Sequence, residues 1–242
     1  MVYWSAIWQS ARAAFGLGSS ASRLSVIREQ PSHLSNQPSA NRLLDSLPER
    51  ELAAITPSLH SVSFALREVV YEQDALISHI YFPINSVLSV LTIMSDGNAI
   101  EVGSIGHEGL SGSQVFFGAD RPQSQMICQI AGNAQCMKVE DFRKHLEKAP
   151  RFRALVYRYT ENMFNFMAQS IACNRLHDVN ERCARWLLLT QDRVGGDEFF
   201  LTQEFLAIML GTNRPAVTLA AGALQQAGMI EYARGHIKIL DR

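Results

Sequence analysis

The side chains best suited to recognition chemistry lie near the end of the chain, where Arg214 and Thr218 are four residues apart. A guanidinium can donate two hydrogen bonds to the edge of a guanine, and a hydroxyl one helical turn later can reach a neighbouring base. We therefore expect Arg214 and Thr218 to contact DNA bases. Thr202, Thr212 and Asn213 are expected to contact phosphates or to cap helices.

The sequence around these residues predicts two helices joined by a tight turn. Leu206 and Leu210 lie four residues apart and share one face of the first helix. Gly211 suits a left-handed residue at its end, and Pro215 suits the first turn of a second helix that runs to about Gln226. The pattern predicts a helix-turn-helix, whose second helix enters the major groove of DNA. An ordinary helical hairpin in a core is the alternative.

The segment after the second helix predicts a β-hairpin. Two short, partly alternating runs flank Arg234-Gly235, a pair that favours a tight turn. A helix-turn-helix followed by a hairpin is a winged helix, so we expect Arg234 and His236 at the tip to reach a phosphate. A solvated turn is the alternative.

Composition sets limits on the class of protein. The chain has 242 residues, of which 47% are hydrophobic and 19% charged, with a net charge of −1, which is typical of a globular protein of two domains. No apolar run approaches the roughly 20 residues needed to cross a bilayer, so we expect no membrane partner. Four scattered cysteines form no CxxC pair, and a reducing cytoplasm is the expected location. Residues 175–242 hold eight basic and eight acidic residues, so DNA binding would depend on a local basic surface.

The chain divides into four segments. Residues 1–40 hold nine serines and a single acid, and we expect a disordered extension there. Residues 41–149 contain seven short runs rich in β-branched and aromatic residues, followed by a helix, and predict an antiparallel β-roll. The expected strands are 62–66, 69–71, 79–82, 87–94, 99–105, 126–130 and 134–139. A long helix is predicted at 150–174, and a winged helix at 175–242.

The long helix carries apolar residues at alternating spacings of three and four, the pattern of a two-stranded coiled coil. The pattern predicts a homodimer, and a long helix packed on its own domain is the alternative. The expected dimer seam consists of Phe152, Val156, Tyr159, Met163, Phe166, Ser170 and Cys173. Cys173 is expected to act there as a small buried apolar residue.

The order of β-roll, long helix and winged helix, with the block 201–240, resembles the Crp/Fnr family of bacterial transcription regulators. The resemblance implies an α+β fold: an antiparallel, jelly-roll-like sensor domain related to cyclic-nucleotide-binding domains, a dimerisation helix, and a C-terminal winged helix-turn-helix. It also implies a homodimer that binds promoter DNA, with RNA polymerase as a further partner and no catalytic activity. Pro215 stands where the family often has an acid, so a different target sequence is expected.

The resemblance also locates a candidate effector pocket. Cyclic-nucleotide-binding members carry a glutamate for the ribose and an arginine for the phosphate. The corresponding positions here are Ser113 and a position near Gln125, so cyclic AMP is not expected to bind in the usual way. The effector would be another small molecule or nucleotide, and its pocket residues are expected to be Gly112, Ser113, Arg121, Ser124 and Gln125. His107 and Glu108, just before this stretch, are expected to form a solvated turn.

Two other classes of protein fit this sequence less well. A cupin-like metal enzyme needs a His-x-His pair, whereas His60, His79 and His107 are isolated. A stand-alone cyclic-nucleotide module of a channel or kinase would bring membrane spans or a kinase glycine loop, and neither is present in the sequence. No nucleophile elbow or P-loop occurs, and no cysteine precedes Cys128 to hold an iron–sulfur cluster. We therefore expect no catalytic residue, no metal and no resident cofactor.

Overall fold

The structure, a computed structural model, describes residues 41–242, so the extension predicted at 1–40 lies outside the described residues. The first part of the described chain is a β-roll preceded by two short helices and a 3₁₀ turn at Thr56–Ser58. Its elements are α1 (Arg42–Asp45), α2 (Glu49–Ile55), β1 (His60–Phe64), β2 (Val69–Tyr71), β3 (His79–Pro83), β4 (Val87–Ile93), β5 (Ala99–Ile105), a 3₁₀ helix (Ser113–Phe117), β6 (Gln125–Ile130) and β7 (Gly132–Lys138).

The second part is helical and ends in a small sheet. Its elements are α3 (Val139–Lys148), α4 (Pro150–Leu176), α5 (Val179–Val194), β8 (Glu198–Phe200), α6 (Gln203–Met209), α7 (Arg214–Gln226), β9 (Ile230–Ala233) and β10 (His236–Ile239). The predicted α+β class is therefore confirmed, with antiparallel pairing throughout the described sheets.

Two sheets form the roll. One has the order β1-β7-β3 and the other the order β2-β6-β4-β5. The predicted strands match to within about two residues. The largest difference is β1, which begins at His60 and ends at Phe64 rather than covering 62–66. It ends early because the next residues form a turn, in which Arg67 takes a left-handed conformation (φ 65°).

Helix α4 links the two halves of the chain. It begins at Pro150, which suits a first helical turn because it has no amide hydrogen to leave unbonded. The helix crosses β5 at Gly103, where an added Cβ would lie 3.3 Å from the Cε of Met163. The chain then restarts as α5 through a capping box: Asp178 accepts from the Glu181 amide while the Glu181 carboxylate accepts from the Asp178 amide. This break sets the position of α5 relative to the roll.

The two halves have separate cores that meet at one sheet. The core of the roll includes α1, α2, α3 and the first half of α4. The second core joins α5, α6, α7 and the small sheet, and it also contains Leu91 of β4 and Ile127 of β6. The β2-β6-β4-β5 sheet therefore contributes apolar side chains to both cores, which attaches the C-terminal part to the roll.

The dimer seam predicted on α4 packs largely against the same chain. Phe152, Val156 and Tyr159 lie inside the core of the roll, and Phe152 packs against Phe82 and Phe142 with ring centroids 6.5 and 5.7 Å apart. Met163 packs partly against the same core.

The other three seam residues face α5. The guanidinium groups of Arg185 and Arg193 lie 5.2 and 5.3 Å from the centroid of the Phe166 ring. Ser170 accepts from Arg185 at 3.4 Å, and Cys173 is buried with a free thiol. These residues pack within the chain because this face of α4 lies against the roll and against α5. The apolar residues that repeat along it are therefore used for contacts inside one chain.

The turn expected at His107 and Glu108 is also more than a solvated loop. The Glu108 carboxylate accepts from Arg193 Nε at 2.8 Å, and His107 Nδ1 donates to the Arg193 carbonyl at 3.0 Å. Arg193 itself is buried. Both residues therefore fix the end of α5 against the roll, because a buried guanidinium needs an acidic partner.

Candidate nucleic-acid interface and sensor cavity

The connection between α6 and α7 has the geometry that its sequence predicts. Gly211 takes a left-handed conformation (φ 59°) just after Leu210, the C-cap of α6, as expected for a helix end. Asn213 Oδ1 accepts from the Ala216 amide at 2.9 Å and caps α7, and Val217 is fully buried beneath the turn. Thr202 caps α6 by accepting from the Phe205 amide at 3.2 Å. These caps fix where α6 and α7 begin.

The first turns of α7 present a polar face to solvent. Arg214 is exposed and pairs with Glu204 of α6 at 2.9 Å. Thr218, also exposed, donates to Gln203 Oε1 at 2.8 Å. Because an exposed ion pair contributes little free energy, Arg214 can replace Glu204 with another hydrogen-bond acceptor with little loss of stability. The structure thus brings the two predicted base contacts to one face of α7.

The hairpin tip lies next to this helix. Ala233 pairs with His236, so Arg234 and Gly235 form a two-residue loop, and both have positive φ values (51° and 86°), as a type I′ turn requires. Arg234 and His236 are exposed, and the His236 ring lies 5.2 Å from that of Phe200. Arg234 is free to point toward a phosphate, whereas His236 packs partly on β8.

A polar groove of about 320 Å³ runs between α7 and the wing. It collects three of the residues predicted to contact DNA, which are Thr202, Arg214 and Arg234, together with residues that the sequence did not single out. Its lining consists of Thr202, Gln203, Glu204, Arg214, Tyr232, Arg234 and Gly235. Thr212 lies outside the groove, half-buried in the turn, where its amide donates to the Ala207 carbonyl at 2.9 Å. Such a groove can take a sugar-phosphate strand.

Three polar residues at this surface were missed by sequence reasoning. Gln203 and Glu204 hold the side chains of Thr218 and Arg214 in place. Arg67, in the turn after β1, donates to Thr202 Oγ1 at 3.3 Å and covers the Phe205 ring. Arg67 lies far from the helix-turn-helix in sequence, so no local signal could have placed it there.

A cavity of about 310 Å³ lies in the roll beside α4. Four of the five predicted effector residues line it: Gly112, Ser113, Arg121 and Ser124. Gln125 does not, because its side chain is buried and donates to Glu72 Oε2 at 2.9 Å. The structure therefore places Gln125 outside the cavity that the other four residues line.

The chemistry of this cavity is mainly apolar. Its walls include Val90, Ile105, Leu110 and Met126 from the roll, and α4 contributes further residues, among them Met163 and Met167. Arg121 is the one charged side chain in the described lining, and its Nη1 donates to the Asp74 carbonyl at 2.6 Å. Most of the lining would therefore offer an occupant apolar contacts rather than ionic ones.

Within residues 41–242, no three His, Cys, Asp or Glu side chains are grouped so as to hold a metal ion. In the same part of the chain, no helix combines the length and the apolar character needed to cross a bilayer.

Comparisons with known proteins agree with this geometry. Residues 181–242 match the family model of the Crp-like helix-turn-helix domain. No curated protein matches the chain. Among solved structures, the global regulator CLP of Xanthomonas campestris, described as responsive to c-di-GMP, has a TM-score of 0.66 at 14% identity, covering 81% of this chain and all of that one (100%).

Two further structures share the fold. FixK2 of Bradyrhizobium japonicum has a TM-score of 0.64 at 16% identity and covers 76% of this chain and 93% of its own. A CRP-family transcriptional regulator of Thermus thermophilus, TTHB099, has a TM-score of 0.62 at 16% identity and covers 74% and 91%. These similarities extend over the roll, the long helix and the C-terminal segment together.

Proposed function

We propose, from the Crp-like helix-turn-helix domain at residues 181–242, that this chain is a sequence-specific transcription regulator of the Crp/Fnr type. The observation that carries the proposal is the exposed face of α7, which presents Arg214 and Thr218, and the groove that Arg214 lines together with Arg234 and Gly235 of the wing tip. Helix α7 would lie in the major groove of promoter DNA, and the wing would contact the adjacent backbone. The protein would act in the cytoplasm with RNA polymerase as its partner, and it would not be an enzyme.

The first prediction concerns base reading. Arg214→Ala should weaken binding to the preferred site by about 1–3 kcal/mol, roughly 5- to 150-fold in Kd, and should relax preference at one base pair. The site is first found by genome-wide recovery of bound fragments, and Kd is then measured by fluorescence anisotropy.

The matched control for this variant is Arg50→Ala, an exposed arginine on α2 that lies outside the groove. It should leave both affinity and base preference unchanged. Recovery of the same fragments with equal Kd by Arg214→Ala would contradict the assigned role of Arg214. Failure of the wild-type chain to prefer any fragment would contradict the proposed function itself.

We place the dimer interface on a different face of α4 from the one predicted. Its exposed apolar residues are Tyr157, Phe164 and Ile171, spaced by seven, with Ala168 between the last two. Phe164 and Ile171 are 63% and 71% exposed, which is unusual for large apolar side chains on a regular helix. A second copy of this helix would cover them and set the spacing of the two α7 helices, as a two-fold DNA reader requires.

The cavity beside α4 is proposed as the effector site, and its lining favours an uncharged, largely apolar molecule. Because Met163 and Met167 of α4 line the cavity, an occupant would press on the helix that leads to the DNA-binding domain. Occupancy could then shift the balance between two arrangements of the α7 helices by a few kcal/mol.

The second prediction tests this ligand class. The neutral fluorescent probe N-phenyl-1-naphthylamine should bind with enhanced emission, whereas cyclic AMP should leave the melting temperature unchanged. Ser124→Trp should fill the cavity and lower probe binding several-fold, and Ser61→Trp on exposed β1 should not. Stabilisation by cyclic AMP, or equal probe binding in both variants, would contradict the proposed ligand class.

A further inference from the structure

Helix α7 carries an apolar ridge on its exposed side. The ridge consists of Pro215, Leu219 and Ala223, which follow one another at intervals of four residues, and all three are exposed. The side chain of Leu219 is 76% exposed and belongs to neither of the two cores. A leucine this open gains almost nothing from burial in its own chain, so its apolar surface is available to another molecule.

The direction of Leu219 follows from the buried side of the same helix. That side consists of Val217, Ala220 and Ala221. Counted at about 100° per residue, Leu219 lies within about 30° of the direction opposite to it. Leu219 therefore projects away from the core of its own domain. A helix seated in the major groove meets the edges of the bases in this direction.

The space beside Leu219 is open. Gly222 lies three residues further along, in the interior of α7. Apart from its chain neighbours and the backbone of its own helix, no atom of the described chain lies within 4 Å of the position that a Cβ would take there. Glycine weakens a helix interior relative to alanine, and the packing of the chain does not require it here. The ridge can therefore be approached closely by another surface.

The neighbours of the ridge indicate duplex DNA rather than a protein as its occupant. Leu219 directly follows Thr218, and the exposed guanidinium of Arg214 lies one turn earlier on the same helix. A docking surface for a protein is a broad, contiguous apolar patch, whereas this ridge is one residue wide and has polar groups beside it. In the major groove, the apolar feature of a base edge is the C5-methyl group of thymine, which lies among hydrogen-bonding atoms.

We propose that Leu219 selects thymine by packing against its C5-methyl group, and that the open space at Gly222 lets the base edge approach. The proposal rests on the DNA-binding function proposed above and specifies the base that this part of α7 recognises. Arg214 would select a guanine and Leu219 a thymine from the same helix. The preferred site should therefore contain, in each half-site, a thymine whose methyl group contributes to affinity.

The third prediction removes this methyl group from the DNA. Each thymine in one half-site of the preferred sequence is replaced in turn by deoxyuridine, which lacks only the methyl group. One replacement should weaken binding of the wild-type chain about fourfold in Kd, the loss expected for one buried methyl group. Leu219→Ala should bind the thymine site more weakly and should no longer distinguish thymine from uracil at that position. Kd is measured by fluorescence anisotropy at one salt concentration.

The matched control is Leu76→Ala, which removes a leucine that is 63% exposed between β2 and β3 of the roll. It should keep the wild-type response to uracil. Leu219→Ala should keep the wild-type melting temperature, because alanine is the best helix former and an exposed side chain is removed. It should also keep the salt dependence of Kd, since no phosphate contact is lost.

Equal binding of the wild-type chain to thymine and uracil at every position would overturn the proposal. A uracil effect that persists in full in Leu219→Ala, or a preferred site without thymine in its half-sites, would overturn it as well. Unchanged DNA binding by Leu219→Ala would also overturn it and would point to a protein partner for the ridge. In each of these outcomes the wild-type chain still prefers its site, whereas failure of the proposed function means that it prefers no fragment.

Discussion

A Phe164→Glu variant is expected to purify as a folded monomer and to lose about a thousandfold in affinity for its preferred DNA site. Phe164 lies at the centre of the exposed stripe on α4, between Tyr157 and Ile171. In a two-fold pair of helices, the same residue approaches its own copy, so the substitution would bury two like charges in an apolar interface. A monomer contacts one half-site, and its binding falls toward the non-specific level.

The oligomeric state would be measured by analytical ultracentrifugation, and DNA binding by fluorescence anisotropy on the same preparations. Met94→Glu is the matched control, because Met94 is 53% exposed in the turn between β4 and β5, away from the stripe. It should remain dimeric with wild-type affinity. A wild-type chain that is already monomeric, or a Phe164→Glu variant that still pairs, would refute the interface.

The helix-turn-helix could be predicted from sequence because its signals are local. Gly211 gives the left-handed turn, Asn213 the cap, Pro215 the first helical turn and Val217 the buried contact. Each follows from the backbone geometry of a few adjacent residues. The hairpin could also be predicted from the sequence, because Arg234-Gly235 suits a type I′ turn.

The face of α4 could not be predicted because the sequence contains two apolar stripes. One passes through Val156, Met163 and Ser170, and the other lies one residue later, through Tyr157, Phe164 and Ile171. Both repeat every seven residues, so the period fixes a helix without saying which stripe meets a second copy. The choice depends on where the roll and α5 lie, which is tertiary information.

The polar contacts between α5 and the roll could not be predicted from sequence for a related reason. Glu101 and Trp186 are 85 residues apart, and Glu108 and Arg193 are also 85 apart. Taken alone, Glu101, Glu108 and Arg193 each suit a solvated surface, which is why His107 and Glu108 were expected in an exposed turn. Only the packing of α5 on the sheet turns these side chains into a partly buried network.

The roles of the two stripes of α4 can be distinguished by measuring the stability of variants as well as their oligomeric state. Phe152→Ala is expected to lower the free energy of unfolding by about 3–5 kcal/mol, because it removes a fully buried ring and leaves a cavity among well-packed neighbours. Its ring lies edge-on to Phe142 at 87° and near Phe82, and both partners are fully buried. Phe164→Ala, the matched control, removes an exposed ring and should cost the fold of one chain little.

Protein concentration distinguishes the two effects in urea titrations. A core contact within one chain lowers the unfolding midpoint by the same amount at every concentration, whereas a contact between subunits changes how the midpoint depends on concentration. Phe152→Ala should therefore show a large, concentration-independent fall, and Phe164→Ala should flatten the concentration dependence. If Phe152 lay on the seam instead, its loss would depend on concentration as that of Phe164 does, and the placement of α4 on its own roll would be wrong.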